Sequence, residues 1–198
     1  MRWQARFVKS ANVLGDCPRW GAREVAFAGR SNAGKSSLIN ALTGVHGLAR
    51  ISKTPGRTQS INFFTLNDEL ALVDLPGYGY ARLPEREASR IASMIQEYLT
   101  GRENLALLAV VVDVRRGPSN NDLALAQAAA DRGIGVVVAA TKIDRLRRSE
   151  TASALRFFVK FAARIIPCSA VDDEGIDTLR RALVDLASQD GRPRKGSA

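Results

Sequence analysis

Residues Gly29-Arg30-Ser31-Asn32-Ala33-Gly34-Lys35-Ser36 fit the spacing G-x-x-x-x-G-K-[ST]. This pattern narrows the possible folds sharply, because it functions only between a strand and a helix. Both flanks comply. Glu24-Val25-Ala26-Phe27-Ala28 is short and mostly apolar, as a buried strand is. Leu38, Ile39 and Leu42 follow at the spacing of a helix with one apolar face. Gly29 and Gly34 carry no side chain to keep an anion from the backbone. Successive N–H groups and the helix N-terminus then point at phosphate oxygens. Lys35 adds a mobile positive charge for the outer phosphates of a nucleotide, and Ser36 offers a hydroxyl to Mg²⁺.

Apolar runs and turn signals divide the remainder into alternating strands and helices. Residues 1–23 read as an N-terminal extension, in which Phe7-Val8-Lys9-Ser10-Ala11 is a short extended piece and Pro18 and Gly21 mark loop. Residues 24–188 read as one nucleotide-binding domain, and 189–198 as a basic tail expected to be disordered. Strands are predicted at 61–66 and 70–73, joined by the hairpin signal Asn67-Asp68 and therefore antiparallel. Further strands are predicted at 105–112, 135–140 and 164–167. Helices are predicted at about 35–43, 84–99, 119–132, 149–162 and 174–188. Such alternation implies an α/β fold with a mostly parallel sheet covered on both faces. Ligands of these sheets bind at the carboxyl ends of the strands.

Every further candidate motif falls at that edge. Asp74-Leu75-Pro76-Gly77 follows an apolar strand; its Asp can hold a metal-bound water and its Gly77 N–H can reach a terminal phosphate. Thr141-Lys142-Ile143-Asp144 ends another strand. The Asp144 carboxylate can accept two parallel hydrogen bonds from the ring N–H and exocyclic amine of guanine, a donor pair that adenine lacks. The stem of Lys142 can lie along the base. Cys168-Ser169-Ala170 ends the last strand and can add a backbone N–H for the guanine carbonyl. These features favour GTP and GDP over ATP, and so argue against a phosphate-loop kinase or ATPase. The loop between, Lys53-Thr54-Pro55-Gly56-Arg57-Thr58-Gln59-Ser60, offers two threonines that could close on Mg²⁺ and the terminal phosphate. Thr58 is anchored by the strand that follows; Thr54 is the alternative.

Charge bears on the partner. The chain of 198 residues has 29 Lys and Arg against 20 Asp and Glu, a net charge of +9. The excess is carried by Arg, whose planar fork suits phosphate, and it favours a polyanion such as a nucleic acid or ribonucleoprotein. It is distributed over Arg115-Arg116, Arg145 with Arg147-Arg148, Arg156 with Lys160 and Arg164, Arg180-Arg181, and Arg192 to Lys195, several of which are expected in loops or on helices away from the phosphate loop. Cys17 and Cys168 stand apart from any metal-ligand cluster, which points to a reducing cytoplasm. The longest apolar run, 105–112, is too short to span a bilayer, so no membrane insertion is expected.

Four stretches, GRSNAGKSSLIN at 29–40, SKTPGRTQSINFF at 52–64, LVDLPGYGYA at 72–81 and TKID at 141–144, resemble the TRAFAC class of GTPases and, within it, the EngB (YihA/YsxC) family of bacterial ribosome-assembly GTPases. The resemblance spans about residues 24 to 188. It implies a Ras-like fold of six strands in the order 2-3-1-4-5-6, with the second antiparallel. It further implies hydrolysis of GTP to GDP with Mg²⁺, a monomer acting on large-ribosomal-subunit precursors and their rRNA, and a link to normal cell division and septation. A switch at the division site without ribosome binding is the alternative. Among the threonines it favours Thr58 as the Mg²⁺ ligand beside Ser36. Lys35, Thr58, Gly77 and Asn32 are then the residues expected to act on the terminal phosphate, with Asn32 helping to hold K⁺. A loop amide bonded to its own backbone is the other reading of Asn32. Thr141 stands where Asn is usual in GTPases and alters a loop-tying contact. Tyr78 follows Gly77 where Ras has the water-orienting Gln, so slow intrinsic hydrolysis is expected.

Overall fold

Residues 3–50, 60–67, 70–80, 83–161 and 163–189 are described by the structure, a computed structural model. Strand β5 (Leu105–Asp113) is buried at every position, which suits a strand covered by helices on both faces. It lies between β2 (Arg23–Gly29) and β6 (Gly135–Thr141), and β7 (Arg164–Cys168) closes that side. On the other side β4 (Leu70–Asp74) pairs parallel with β2, and β3 (Ile61–Leu66) pairs antiparallel with β4.

The sheet has seven strands, not six, in the order β1-β3-β4-β2-β5-β6-β7. The added strand is β1 (Ala5–Ala11), which pairs antiparallel with the outer edge of β3. Without β1 the order is the predicted one. The register skips between Phe7 and Lys9. Such a bulge breaks the two-residue alternation by which a strand is recognised, which is why the segment reads only as a short extended piece. Covering β3 also removes an open sheet edge.

Helices α1 (Lys35–Thr43) and α5 (Ile176–Gln189) pack on one face through Leu38, Leu42, Leu179 and Leu183. Helices α2 (Glu85–Gly101) and α3 (Asn120–Ala130) pack on the other through Ile91, Ile95, Tyr98 and Ala129. Helix α4 (Arg148–Leu155) is shorter than predicted, because Arg156–Lys160 tightens into a 3-10 turn. In that geometry residues three apart eclipse. Phe158 and Phe161 are accordingly both buried, with ring centroids 6.3 Å apart. Among the described residues, no helix is long and apolar enough to cross a membrane.

The amino end of the sheet is held by a buried carboxylate. Glu24 accepts from the Tyr98 hydroxyl at 2.6 Å, the Trp20 indole N–H at 2.7 Å and the Arg102 guanidinium at 2.5–3.0 Å. Arg102 also donates to the Pro18 carbonyl at 2.6 Å. Burial of an ion is tolerated when its lone pairs are filled in this way. The network pins the segment before β2 and lies at the opposite end of the strands from the candidate motifs.

Candidate functional site

The carboxyl ends of the strands stop level with one another. Gly29 is opposite Val111, Phe27 opposite Asp74, and Asp113 opposite Thr141, which is in turn opposite Cys168. The register thus gathers the phosphate loop, the Asp74–Gly77 strip, the Thr141–Asp144 loop and the Cys168–Ala170 turn along one rim.

The phosphate loop is bonded on both sides. Toward β4, Leu75 N–H donates to the Phe27 carbonyl at 3.1 Å, Tyr78 N–H to Gly29 at 3.4 Å, and Ser31 N–H to Tyr78 at 2.9 Å. Residues 75–78 therefore run alongside the loop as an extra rung, recorded as a parallel bridge between Arg30 and Tyr78. Ala33 N–H is also used internally, on the Arg30 carbonyl at 3.0 Å. The donors that remain for an anion include the Asn32 and Gly34 N–H groups and continue through the first turn of α1, whose N–H groups have no partner within the helix.

The two glycines of the motif are required for different reasons. A Cβ on Gly29 would sit 2.5 Å from the Val111 carbonyl oxygen, so close strand packing excludes a side chain there. Gly34 caps α1 with φ +96°, a conformation that disfavours other residues. Gly77 is close to the loop as well: its Cβ would lie 3.2 Å from Ser31 Oγ.

Lys35 and Asp74, assigned from sequence to phosphate and metal-bound water, form a direct ion pair in which both side chains are more than nine-tenths buried. Ser36, half-buried, is in the same first turn of α1. Hard oxygens from one hydroxyl and one carboxylate suit Mg²⁺, which keeps waters and takes its other ligands from phosphates. The donor set therefore fits that ion.

On the far side, Thr141 ties the loop down. Its hydroxyl lies 2.6 Å from the Ala33 carbonyl and 3.1 Å from that of Val112. Thr141 thus retains a loop-tying contact despite being shorter than Asn. Lys142 has φ +63°, and its ammonium rests between the Asn32 carbonyl at 2.6 Å and Asp113 Oδ2 at 3.0 Å. Those two anchors stretch its aliphatic stem past Gly34. Asp144 accepts from the Ser169 hydroxyl at 3.0 Å and pairs with Arg145 Nε at 3.0 Å. Ser169 N–H is taken by the Glu174 carbonyl at 2.9 Å, so it is Ala170 that can offer its N–H. Cys168 is fully buried, and burial pushes its thiol up to about 12. It is a packing residue that stays protonated.

Two participants escaped the sequence. Asp113 holds Arg115 through two guanidinium bonds of 3.0 and 2.7 Å and also anchors Lys142. Its only trace in the sequence was an acid at the end of an apolar run. Burial pushes its carboxyl up, but the hydrogen bonds from Arg115 and Lys142 outweigh burial and hold it at about 2, below the ordinary 3.8. A carboxyl lowered by folding stabilises the fold above its unfolded value, and that contribution fades as pH falls through the folded value. Asp113→Asn is therefore expected to flatten the loss of stability between about pH 4 and about pH 2. The urea midpoint measured against pH checks this; an unchanged acid limb would contradict it.

The second is Asp122, whose carboxylate accepts from the Tyr78 hydroxyl at 2.6 Å while capping α3 through Ser119. Burial, then the Asp122 charge, pushes the Tyr78 phenol well above its ordinary range. Tyr78 is thus a protonated anchor between the Asp74–Gly77 strip and α3.

Gly56, Arg57, Thr58 and Gln59, and the alternative Thr54, lie outside the described residues, as does the tail from 190. Ser60 is described and lies just ahead of β3. Some of the basic residues are engaged. Arg115 holds Asp113, Arg145 holds Asp144, and Arg180 donates to the Leu42 and Ala41 carbonyls at 2.9 and 3.2 Å.

Comparison with known proteins gives a consistent result. A family model described as a 50S ribosome-binding GTPase matches residues 24–142. The probable GTP-binding protein EngB of Nitrosococcus oceani is 43% identical over 186 residues, covering 91% of this chain and 93% of that one. Its counterpart in an Anaeromyxobacter species is 39% identical over 207 residues, covering 98% and 96%. A crystal structure of a probable GTP-binding protein engB superposes with a TM-score of 0.70 at 27% identity, over 84% of this chain and 99% of that one.

Proposed function

The chain belongs to the EngB family of GTP-binding proteins, and from that premise we propose that it uses GTP to control its docking on precursors of the large ribosomal subunit. It is a GTPase. The finer reading is of a cytoplasmic monomer that recognises rRNA in an immature particle, leaves after hydrolysis, and influences cell division and septation through that role.

One observation carries the switching part: the phosphate loop is hydrogen-bonded both to the Asp74–Tyr78 strip and to the Thr141–Lys142 loop. A rearrangement at the terminal phosphate must then be felt at residues 76–90, which follow the strip. In this reading Asp144 and the Ala170 N–H select guanine, Lys142 lies along the base, and the first turn of α1 with Lys35 holds the phosphates. Ser36, with Asp74 through water and Thr58 from the loop 44–60, would hold Mg²⁺, which supplies charge neutralisation at the phosphates. Gly77 N–H would meet the terminal phosphate, and Gly56, Arg57, Gln59 and Ser60 would line the nucleotide beside Thr58. Asn32 has φ +66°, is exposed, and its amide makes no hydrogen bond among the described residues. That leaves the amide available to a K⁺ beside the phosphates.

Nucleotide can control docking only if the particle binds one state better. Sucrose-gradient fractionation is expected to place the protein with large-subunit precursors in the presence of a non-hydrolysable GTP analogue and to release it with GDP. Association should weaken steeply as salt rises, because phosphate contacts release condensed counterions. Equal occupancy with both nucleotides removes the switch. Absence from the particles in both states at low salt removes the ribosomal reading and favours the division-site alternative.

A further inference from the structure

The 3-10 turn Arg156–Lys160 has two opposed faces. Phe158 is fully buried and, with Phe161, pins the turn to the core. Phe157 and Val159, on either side of it, are 64% and 76% exposed. Phe157 is the most exposed aromatic ring among the described residues. Its turn is pinned by the buried Phe158, and the loop after β5 passes beside its Cβ. A Cβ on Gly117 of that loop would lie 3.9 Å from the Cβ of Phe157.

The ring's surroundings are cationic. Arg116 precedes Gly117, and Arg156 and Lys160 flank the ring in its own turn. All three side chains are exposed, and none enters a hydrogen bond or ion pair with the described residues. Between Arg145 and Arg164 the only acidic residue is Glu150, and its carboxylate is occupied at the N-terminus of α4 by Arg147 N–H at 2.9 Å.

An exposed aromatic on a pinned turn among unpaired cations matches the way proteins hold unpaired nucleic acid: bases stack on the ring while Arg and Lys follow the phosphates. A duplex offers no free base face inside its stack. A membrane surface is a poorer match, because two apolar side chains on a five-residue turn fall far short of the apolar face of an interfacial helix. We propose that Phe157 is a stacking platform for an unpaired RNA base, with Arg116, Arg156 and Lys160 contacting the neighbouring phosphates. The proposal rests on the reading above that the partner is an rRNA-containing particle, and it assigns one contact surface to that docking.

The test is fluorescence anisotropy with a labelled single-stranded RNA of about 12 nucleotides, within the span such sites cover, using the full chain with a GTP analogue. Phe157→Ala and Phe157→Leu are each expected to weaken binding by roughly tenfold, because an alanine change at a stacking ring loses about one base stack. Phe157→Trp should restore it, and its added emission should be quenched on binding. The ring carries no charge, so the salt dependence should be unchanged in these variants, while the double Arg156→Ala/Lys160→Ala variant should make it shallower. Phe157 projects outward, so these changes leave the core intact. Leu binding as tightly as Phe overturns the proposal, as does an equal loss with an RNA duplex of the same length. Phe157-dependent binding to vesicles containing an anionic phospholipid, with RNA binding indifferent to the ring, also overturns it. Gradients separate the two readings. Wild-type protein on the particles with Phe157→Ala equally present removes the stacking platform alone, whereas wild-type protein absent from particles removes the ribosomal reading whatever the oligonucleotide shows.

Discussion

Lys35→Ala is expected to lower the stability of the nucleotide-free protein by about 3 kcal/mol and to weaken GTP binding by at least about tenfold. The first effect follows from the ion pair with Asp74, in which both side chains are more than nine-tenths buried. Removing one member leaves the other charged and unpaired in a poorly solvated site, which costs more than the pair itself contributes. The double variant Lys35→Ala/Asp74→Ala should therefore recover about half of the loss, because no orphaned charge remains. Urea unfolding of the wild type, both single variants and the double variant measures this coupling. Losses that simply add would mean that the pair does not form in solution. The second effect follows from the lost charge-assisted contact to phosphate, and the double variant should not recover it. Stability and nucleotide affinity are thus expected to separate in the same set of variants. In the reading proposed above, Lys35 would exchange Asp74 for a phosphate when GTP binds, leaving the carboxylate for the metal's water.

Asp144→Asn should change which base the protein prefers. The substitution replaces one acceptor oxygen with a donor, which then faces the exocyclic amine of guanine. A buried polar mismatch costs roughly 1–3 kcal/mol, so GTP affinity should fall by about tenfold or more. Xanthosine triphosphate has an oxygen in place of that amine, and its affinity should rise. The carboxylate is held in place by the Ser169 hydroxyl and Arg145 at 3.0 Å each. An Asn can keep the Ser169 contact by presenting its oxygen, so the loop should retain its position and the effect should be one of specificity. Competition binding with GTP and xanthosine triphosphate checks both halves, and an unchanged preference would sink the assignment. Because Arg145 contacts this carboxylate, its substitution is unsuitable for testing RNA docking; Arg148, Arg156 and Lys160 are better placed.

The chemistry of the rim was legible in the sequence because each of its parts is a contiguous word. The phosphate loop, Asp74 to Gly77 and Thr141 to Asp144 each specify a local backbone shape and a side-chain type. The apolar runs beside them fix which end of a strand they occupy. Alternation of strands and helices was enough for the mostly parallel sheet, whereas the order of the six strands other than β1 came only from the family resemblance. Periodicity failed where the backbone departs from its period: at the bulge in β1 between Phe7 and Lys9, and where α4 tightens to bury Phe158 with Phe161.

Tertiary structure alone decided which of these residues touch. Lys35 meets Asp74 across 39 positions, Tyr78 meets Asp122 across 44, and Lys142 meets Asn32 across 110. No spacing rule links residues so far apart. What joins them is the register of parallel strands, which stops Asp74, Asp113 and Thr141 level with the phosphate loop. Register is set by how the two apolar faces of the sheet pack beneath the helices, a property of the whole core. The sequence by itself therefore determined what chemistry the rim can carry. The packed core decided that Asp74 and Asp113 each hold a lysine, that the phosphate loop is bonded on both sides, and that Phe157, with Phe158 and Phe161 turned inward, is left facing solvent.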